Sequence, residues 1–262
     1  MCAARTILLV TCHPEKRSLN GALAAHARAT LERLGHVVTE SDLYAMRWKA
    51  VVDAADFPDE SAGARLHPGP ASRRATAAGT LTADVAAEQA KILAADALIF
   101  QFPLWWFGLP AMLKGWFDRV FSNGFAYGLT DPATGRGLRY GAGRLAGKRA
   151  LLSVTTGGLA PAFSARGVSG DLEDLLFPVT HGMLFYPGMA VLPTFAVYGA
   201  NRLPDDAFAA ACTAYAARLA GLFTDAPIPY RTQNGGDYDD DLCLKPGLGG
   251  GAAGLALHRR VA

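Results

Sequence analysis

The stretch from Ala97 to Phe117 constrains the fold of this chain more than any other. Its apolar start predicts a buried strand, which Pro103 should end because proline cannot donate a hydrogen bond within a sheet. Pro110 suits the first turn of the helix that follows. The turn between the strand and the helix carries three consecutive aromatic residues, Trp105, Trp106 and Phe107.

This aromatic turn follows the carboxyl end of a strand, which is where ligands bind in open α/β sheets. A partly exposed wall of flat rings there favours a flat, conjugated ligand. Aromatic residues also dominate protein cores and interfaces, so a cap on the core or a contact between subunits is the alternative interpretation.

Strands and helices are predicted to alternate along most of the chain. Apolar runs predict strands at 5–12, 37–43, 96–102, 149–155 and 189–198, and helices are predicted at 18–34, 84–95, 109–121 and 204–223. Residues 171–182 are predicted to be helical with a break at Pro178, and residues 44–84 to form a long irregular excursion. The alternation predicts an α/β fold with a doubly wound, parallel, five-stranded sheet in the order 2-1-3-4-5.

That strand order would bring three loops together: residues 13–20, 103–107 and 155–158. The first loop lacks both the G-x-G-x-x-G and the G-x-x-x-x-G-K-[ST] patterns. It ends with Ser18 and Asn20 at a helix start, where free N–H groups favour a phosphate. The alternatives are a plain helix cap for Ser18 and a solvated loop histidine for His13.

The third loop, Thr155-Thr156-Gly157-Gly158, directly follows a predicted strand. Two glycines there would allow the backbone to approach a ligand closely, although a glycine turn without a ligand is the alternative. A polar loop, an aromatic wall and a glycine turn at one edge of a sheet fit a bound flavin. Its phosphate would lie in the first loop, and its ring system between the other two.

Composition excludes several classes of function. The net charge of +2, from 25 basic and 23 acidic residues among 262, is too balanced to indicate a nucleic-acid partner. No apolar run approaches the roughly 18 residues of a membrane span, and the first residues lack the pattern of a signal peptide. The scattered cysteines predict neither a metal site nor a disulfide framework, and they favour a cytoplasmic protein: Cys2, Cys12, Cys212 and Cys243.

Several motifs together resemble the NAD(P)H:quinone oxidoreductases, the DT-diaphorase family with the flavodoxin-like fold. The resemblance extends from about residue 5 to 225, and the tail is similar to that of bacterial members at 239–241 and 245–247. The matching stretches are Ser41-Asp42-Leu43-Tyr44-Ala45-Met46, Ala87-Glu88-Gln89, Gln101-Phe102-Pro103-Leu104 with Trp106-Phe107-Gly108, Leu113-Lys114-Gly115-Trp116-Phe117, Phe125-Ala126-Tyr127 and Thr155-Thr156-Gly157-Gly158.

The resemblance implies a homodimer with two sites at its interface and one flavin per subunit, usually FAD, with FMN as the other possibility. Residues 1–224 would form the catalytic domain, and residues 225–262 an arm that packs on the dimer. Matching motifs place the phosphates and ribityl chain against His13, Ser18, Leu19 and Asn20. They place the flavin ring among Pro103, Leu104, Trp105, Trp106, Phe107, Thr155, Thr156, Gly157, Gly158 and Phe163.

The substrate pocket implied by the resemblance is lined by Trp106, Phe107, Phe125 and Tyr127, the last two from the other subunit. Two residues depart from the family pattern. Phe163 stands where the animal enzymes have a tyrosine, and Ser169 where they have a histidine, so the pair thought to handle charge on the reduced flavin is missing. The N–H groups of Gly157 and Gly158 become the candidates for stabilising that charge, with Ser169 as a further catalytic candidate.

The function implied is ping-pong transfer of hydride from NADPH or NADH, through the flavin, to a quinone. One alternative is a reductase of nitro or azo compounds, or of one aromatic intermediate in a pathway. The other is a flavoprotein without enzymatic activity, such as an electron carrier or a regulatory subunit. Exposed arginines in the loop after residue 128 could meet the 2′-phosphate of NADPH, although such side chains are more often solvated: Arg136, Arg139 and Arg144.

Overall fold

The computed structural model describes residues 3–61, 63 and 65–260, so Cys2 lies outside the described residues. Six strands form one parallel sheet: β1 (Thr6–Thr11), β2 (Val37–Asp42), β3 (Ala97–Pro103), β4 (Arg149–Thr155), β5 (Ala190–Val191) and β6 (Phe195–Val197). Their order is β2-β1-β3-β4-β5, and β6 also pairs with β4. The predicted parallel sheet and its order are confirmed.

Helices cover both faces of the sheet, which explains why its central strands are apolar throughout. The helices are α1 (Leu19–Arg33), α2 (Pro68–Ala78), α3 (Ala83–Ala94), α4 (Ala111–Val120), α5 (Leu172–Leu175), α6 (Phe177–Val179) and α7 (Asp205–Ala220). All seven residues of β3 are buried. Side chains from alternate positions enter two separate cores, with α3 and α4 on one face and α1 and α7 on the other.

The predicted fifth strand is interrupted. β5 pairs with the start of β4 and β6 with its end, and the residues between them leave the ladder. Pro193 lies in this gap and has no N–H to donate. The N–H of Thr194 is taken by the carboxylate of Glu173 at 2.5 Å, so the chain crosses the gap without a partner strand there.

The predicted irregular excursion at 44–84 is wrong in part, because it contains α2 and the first residues of α3. The prolines that suggested an irregular chain, Pro68 and Pro70, lie in the first turn of α2, where a missing N–H costs nothing. Gly79 ends α2 in the left-handed conformation that favours glycine. The predicted helix at 171–182 is instead α5, α6 and a π-helix, Thr180–Phe185.

A buried arginine fixes the rest of the excursion to the domain. The guanidinium of Arg119 on α4 contacts Asp56 at 2.7 Å and Asp84 at 2.6 Å. It also stacks over the ring of Trp48 at 4.7 Å. The two carboxylates together compensate the buried charge of Arg119, so the cluster joins Asp56 of the excursion to α3 and α4.

No helix among the described residues is both long and apolar enough to cross a lipid bilayer.

Candidate functional site

The carboxyl ends of β1, β3 and β4 bring the three predicted loops to one edge of the sheet. The N–H of Cys12 donates to the carbonyl of Gln101 at 3.1 Å, which joins the first loop to β3. The N–H of Leu104 donates to the carbonyl of Thr155 at 2.8 Å, which joins the aromatic turn to the end of β4. The convergence that strand order predicted is therefore present.

Three buried polar side chains connect these strand ends, and we call them the amide floor: Gln101, Asn20 and Thr155. The Nε2 of Gln101 donates to the Oδ1 of Asn20 at 2.9 Å. The Nδ2 of Asn20 in turn donates to the Oγ1 of Thr155 at 2.8 Å. The Oε1 of Gln101 is buried and has no hydrogen-bond partner among the described residues.

The first loop leads into α1 as predicted. Ser18 caps the helix, and its Oγ accepts a hydrogen bond from the N–H of Gly21 at 3.2 Å, so Leu19 is the first helical residue. His13 turns back on its own loop, where its Nδ1 accepts from the N–H of Glu15 at 3.1 Å. The ring of His13 lies 6.0 Å from that of Trp105, which joins the first loop to the aromatic turn.

A cavity of about 310 Å³ lies beside the first loop, between β1, β2 and α1. His13, Asn20 and Gln101 are among its lining residues. Cys12 also lines it, and burial raises the pKa of this thiol to about 12. The thiol therefore stays protonated, which excludes it as a nucleophile at neutral pH.

The aromatic turn forms an exposed rim, and we call Trp105, Trp106 and Phe107 the aromatic rim. The exposed fractions of these three residues are 42%, 95% and 51%. The φ angles of Trp106 and Phe107 are 48° and 59°, the left-handed region that bulky side chains rarely adopt. Strained backbone together with exposed rings is characteristic of a surface built to contact something.

The glycine turn lies beside the rim, and packing within the chain already favours glycine at position 158. A Cβ on Gly157 would lie 2.8 Å from the Nδ2 of Asn201, and one on Gly158 would lie 2.6 Å from the ring of Phe163. The N–H of Gly158 already donates to the Oγ1 of Thr156 at 3.2 Å. Gly157 is exposed, and its N–H makes no hydrogen bond within the described part of the chain.

Phe163 closes the far side of the glycine turn. Its ring lies 6.3 Å from that of Phe107 and 5.7 Å from that of Tyr198. Burial raises the pKa of Tyr198, and the nearby carboxylates of Asp171 and Glu173 raise it further, so its hydroxyl stays protonated. Tyr198 therefore places a protonated phenol next to Phe163. No sequence pattern identified this residue, although it directly follows β6.

Ser169 donates its backbone N–H to the carbonyl of Ala162 at 3.0 Å. Its hydroxyl makes no hydrogen bond to another residue that the structure describes, and the side chain is half-buried. The structure therefore places Ser169 on the segment that carries Phe163, with a hydroxyl that is not engaged elsewhere.

Phe125 and Tyr127 lie away from the aromatic rim of the same chain. Phe125 is buried in the core beneath α4. Tyr127 lines two cavities, one beside α2 and one between α4 and the π-helix, and neither cavity includes Trp106 or Phe107. These two predicted substrate contacts are not joined to the rim within one chain.

The C-terminal arm folds against its own chain. The hydroxyls of Tyr230 and Thr180 lie 2.7 Å apart, and Arg259 pairs with Asp174 at 2.7 Å. A cavity of about 410 Å³ lies under the arm, where His181 stacks between the rings of Tyr140 and Phe177. Burial, with the nearby His258 and Arg259, lowers the pKa of His181 to about 4, so it is neutral at physiological pH.

Among the described residues there is no group of three or more His, Cys, Asp and Glu side chains that could hold a metal ion.

The family follows from the fold and from the sequence together. Residues 5–219 match the model of the flavodoxin-like fold family, and the chain belongs to that family. Within it, the chain is 38% identical over 227 residues to a rat protein named NAD(P)H dehydrogenase [quinone] 1, covering 86% of this chain and 80% of the rat protein. These values place the chain in the NAD(P)H dehydrogenase (quinone) family.

Two other proteins are more similar over nearly the full length. A Penicillium crustosum protein named ribosyldihydronicotinamide dehydrogenase-like protein traD is 48% identical over 258 residues, covering 97% of this chain and 96% of that protein. A crystal structure from Klebsiella pneumoniae, provisionally named a quinone reductase, has 50% identity and a TM-score of 0.94, covering 98% of this chain and all of that chain. The likeness therefore includes the C-terminal arm.

Proposed function

We propose that this protein is a flavin-dependent oxidoreductase that transfers hydride from a reduced nicotinamide to a quinone. The observation that carries this proposal is the aromatic rim, strained and exposed, directly beside the glycine turn and above the amide floor. The names of the rat, Penicillium and Klebsiella proteins support the same class of reaction.

The residues present fit a flavin. Trp106 and Phe107 offer flat apolar surface, and Gly157 offers an exposed N–H at the same edge of the sheet. Ser18 and Leu19 present the start of α1, where the helix dipole and free N–H groups favour a phosphate. A bound flavin would supply the hydride chemistry, because it can accept two electrons from a nicotinamide and pass them to a quinone.

The residues of this chain would bind and orient the flavin. His13, Ser18, Leu19 and Asn20 would hold the phosphates and ribityl chain. Pro103, Leu104 and the aromatic rim would pack against the ring system, together with Thr155, Thr156, Gly157, Gly158 and Phe163. Of the two glycine N–H groups proposed for charge stabilisation, that of Gly157 is the better candidate, because that of Gly158 is engaged by Thr156.

FAD is the flavin that we propose, with FMN as the alternative. Release of the flavin from purified protein, followed by chromatography against both standards, tests this choice. FAD at about one equivalent per chain supports the proposal, whereas FMN alone contradicts it. Reconstitution of the apoprotein with each flavin separately shows whether the protein prefers that flavin or only binds the one that the expressing cell supplies.

A homodimer would complete the site. Phe125 and Tyr127 do not reach the rim of their own chain, and the rim is half to fully exposed. We propose that Tyr127, with Phe125 beneath it, lines the substrate slot of the partner subunit. Light scattering after size exclusion should give a dimer mass, and a monomer at all protein concentrations would contradict this part of the proposal.

The choice of donor and acceptor is tested by a steady-state panel. The relatives are named for two donors, NAD(P)H and ribosyldihydronicotinamide, so all three reduced nicotinamides belong in the panel. Menadione is the quinone, and one nitroaromatic and one azo dye are the other acceptors. Phe163 and Ser169 stand where the animal enzymes have a tyrosine and a histidine, and this difference makes a nitro or azo reductase the second candidate. A higher kcat/KM for the nitroaromatic or the azo dye than for menadione would favour that candidate.

We propose a cytoplasmic location, in accordance with the free thiols of Cys12, Cys212 and Cys243. Fractionation of the native organism tests it, and recovery with the membrane or in an exported fraction would contradict it.

A further inference from the structure

The amide floor has a direction that determines what Thr155 can do. The Oγ1 of Thr155 accepts a hydrogen bond from Asn20, and Asn20 accepts one from Gln101. A hydroxyl that accepts through its oxygen still has its own proton to donate. Among the residues described by the structure, none accepts that proton.

The position of this proton matters because Thr155 ends β4, directly before Thr156 and the glycine turn. The backbone carbonyl of Thr155 accepts from Leu104, which fixes the strand end beside the aromatic turn. The hydroxyl therefore lies where the aromatic turn, the glycine turn and the start of α1 meet. A ligand between these loops would meet the Thr155 hydroxyl as a donor, and the bond from Asn20 to its oxygen sets the direction of its proton.

Gln101 is the first donor in this series of hydrogen bonds, and its own amide oxygen is left buried without a partner among the described residues. Gln101 is 1% exposed, and it interrupts an otherwise apolar strand. A buried acceptor such as its Oε1 normally finds a partner. A side chain with half of its amide unsatisfied is poorly explained by stability alone, and such groups in native structures call for a functional explanation.

We propose that Gln101 is a positioning residue that acts through Asn20 to hold the Thr155 hydroxyl as a hydrogen-bond donor to the bound flavin. The inference rests on the proposed function, because it requires a flavin between the three loops. Gln101 itself does not touch the flavin. It fixes the amide of Asn20, which would otherwise be free to turn its oxygen toward Thr155 and take the proton.

A double-mutant cycle on flavin binding separates this role from a structural one. The measurement is the dissociation constant of the apoprotein for FAD, obtained by titration with flavin fluorescence. Thr155→Val keeps the shape of the side chain and removes the hydroxyl, and it should weaken FAD binding about tenfold, or about 1.4 kcal/mol. Gln101→Met should weaken it about fivefold in the native background, but less than about twofold in the Thr155→Val background.

Gln101→Glu tests the direction of the chain and remains available if Gln101→Met does not fold. At alkaline pH, where the carboxylate is ionised, the side chain can only accept, so Asn20 must turn its Nδ2 toward it. The Oδ1 of Asn20 then takes the proton of Thr155, and FAD binding should weaken as in Thr155→Val. Unchanged FAD binding by Gln101→Glu would show that the hydrogen bonds run from Thr155 through Asn20 to Gln101, and it would overturn the inference.

Gln89→Met is the matched control. Gln89 is a second buried glutamine, and its Nε2 donates to Val120 and Ser122 on the α3–α4 side of the sheet. This variant should lower the unfolding midpoint while leaving the FAD dissociation constant unchanged. Native protein that binds neither FAD nor FMN overturns the proposed function. Native protein that binds FAD, with an equal effect of Gln101→Met in both backgrounds, overturns only the role assigned to Gln101.

Discussion

The amide floor and the aromatic rim lie at the same edge of the sheet, yet they are built in opposite ways. The floor is buried, and each of its three side chains makes at least one hydrogen bond to another. The rim is exposed, and two of its three residues have a positive φ angle. The floor is thus held together by hydrogen bonds within this chain, although the Oε1 of Gln101 and the hydroxyl proton of Thr155 have no partner among the described residues. The rim instead offers exposed surface that a ligand or a partner can cover.

The difference separates two kinds of residue in one site. Changes to the floor should alter the stability of the protein even without a flavin, because they leave buried groups unpaired. Changes to the rim should alter binding and turnover while leaving stability nearly unchanged. Substitutions in the site test this division, in order of decreasing effect.

Asn20→Leu should have the largest effect. It deprives the Nε2 of Gln101 and the Oγ1 of Thr155 of their partner, and leaving two buried polar groups unsatisfied costs about 3 kcal/mol. Urea unfolding of the apoprotein measures this loss. The matched control is Trp106→Leu, which places the same side chain in the rim. A change of less than about 0.5 kcal/mol in Asn20→Leu would show that the floor contributes little to stability.

Trp106→Ala should separate function from folding. The side chain is 95% exposed, so the free energy of unfolding should change by less than about 0.5 kcal/mol. Loss of its stacking surface should lower kcat/KM for a quinone by at least about tenfold, equivalent to about 1.4 kcal/mol. Steady-state kinetics on flavin-loaded protein provide the test. Unchanged kinetics would mean that the exposed ring faces solvent or a subunit contact and not the substrate.

Trp106→Gly compared with Trp106→Ala isolates backbone strain. Both variants remove the ring, but only glycine adopts a φ of 48° without steric cost. Apoprotein of Trp106→Gly should therefore be about 1 kcal/mol more stable than that of Trp106→Ala. The same pair at Trp105, which is not among the residues with positive φ, should show the reverse order, because there glycine only adds flexibility. If the glycine and alanine variants had the same order of stability at Trp105 and Trp106, this result would count against backbone strain in the rim.

Ser169→Ala should have the smallest effect. Its hydroxyl has no partner among the described residues, and it cannot become a cation at neutral pH. Turnover should fall by less than about tenfold, or about 1.4 kcal/mol. Comparison of kcat for the native and Ser169→Ala proteins with one donor and menadione measures it. A loss of several orders of magnitude would mean that Ser169 has a catalytic role of its own.

The sequence predicted the central sheet well, because buried strands in a parallel sheet have an easily recognised apolar pattern. β1, β3 and β4 are mostly apolar, with Gln101 in β3 and Ser153 in β4 as the polar residues in their interiors, and this pattern is typical of strands buried on both faces in a parallel sheet. The fifth strand was harder to predict, because Pro193 and the bond from Thr194 to Glu173 interrupt it, and Glu173 is distant in sequence. α2 was not predicted, because Pro68, Gly69 and Pro70 at its start favour an irregular chain when tertiary packing is unknown.

For the site, the sequence predicted which loops converge but not how they are held. Gln101 lay within a matching motif, and its signal was a single polar residue in an apolar strand. Its bond to Asn20 joins residues 81 positions apart, which no local pattern contains. The glycine turn shows the opposite error, because the ring of Phe163 would clash with a Cβ on Gly158 and so favours glycine there without any ligand.

The most direct test of the central claim is an anaerobic half-reaction. Purified, flavin-loaded protein is mixed with NADPH, NADH or dihydronicotinamide riboside, and the visible flavin absorbance is followed before and after addition of menadione. The proposed function predicts rapid bleaching by at least one donor and full recovery on adding menadione. A flavin that none of the donors bleaches, or that menadione fails to reoxidise, would contradict it.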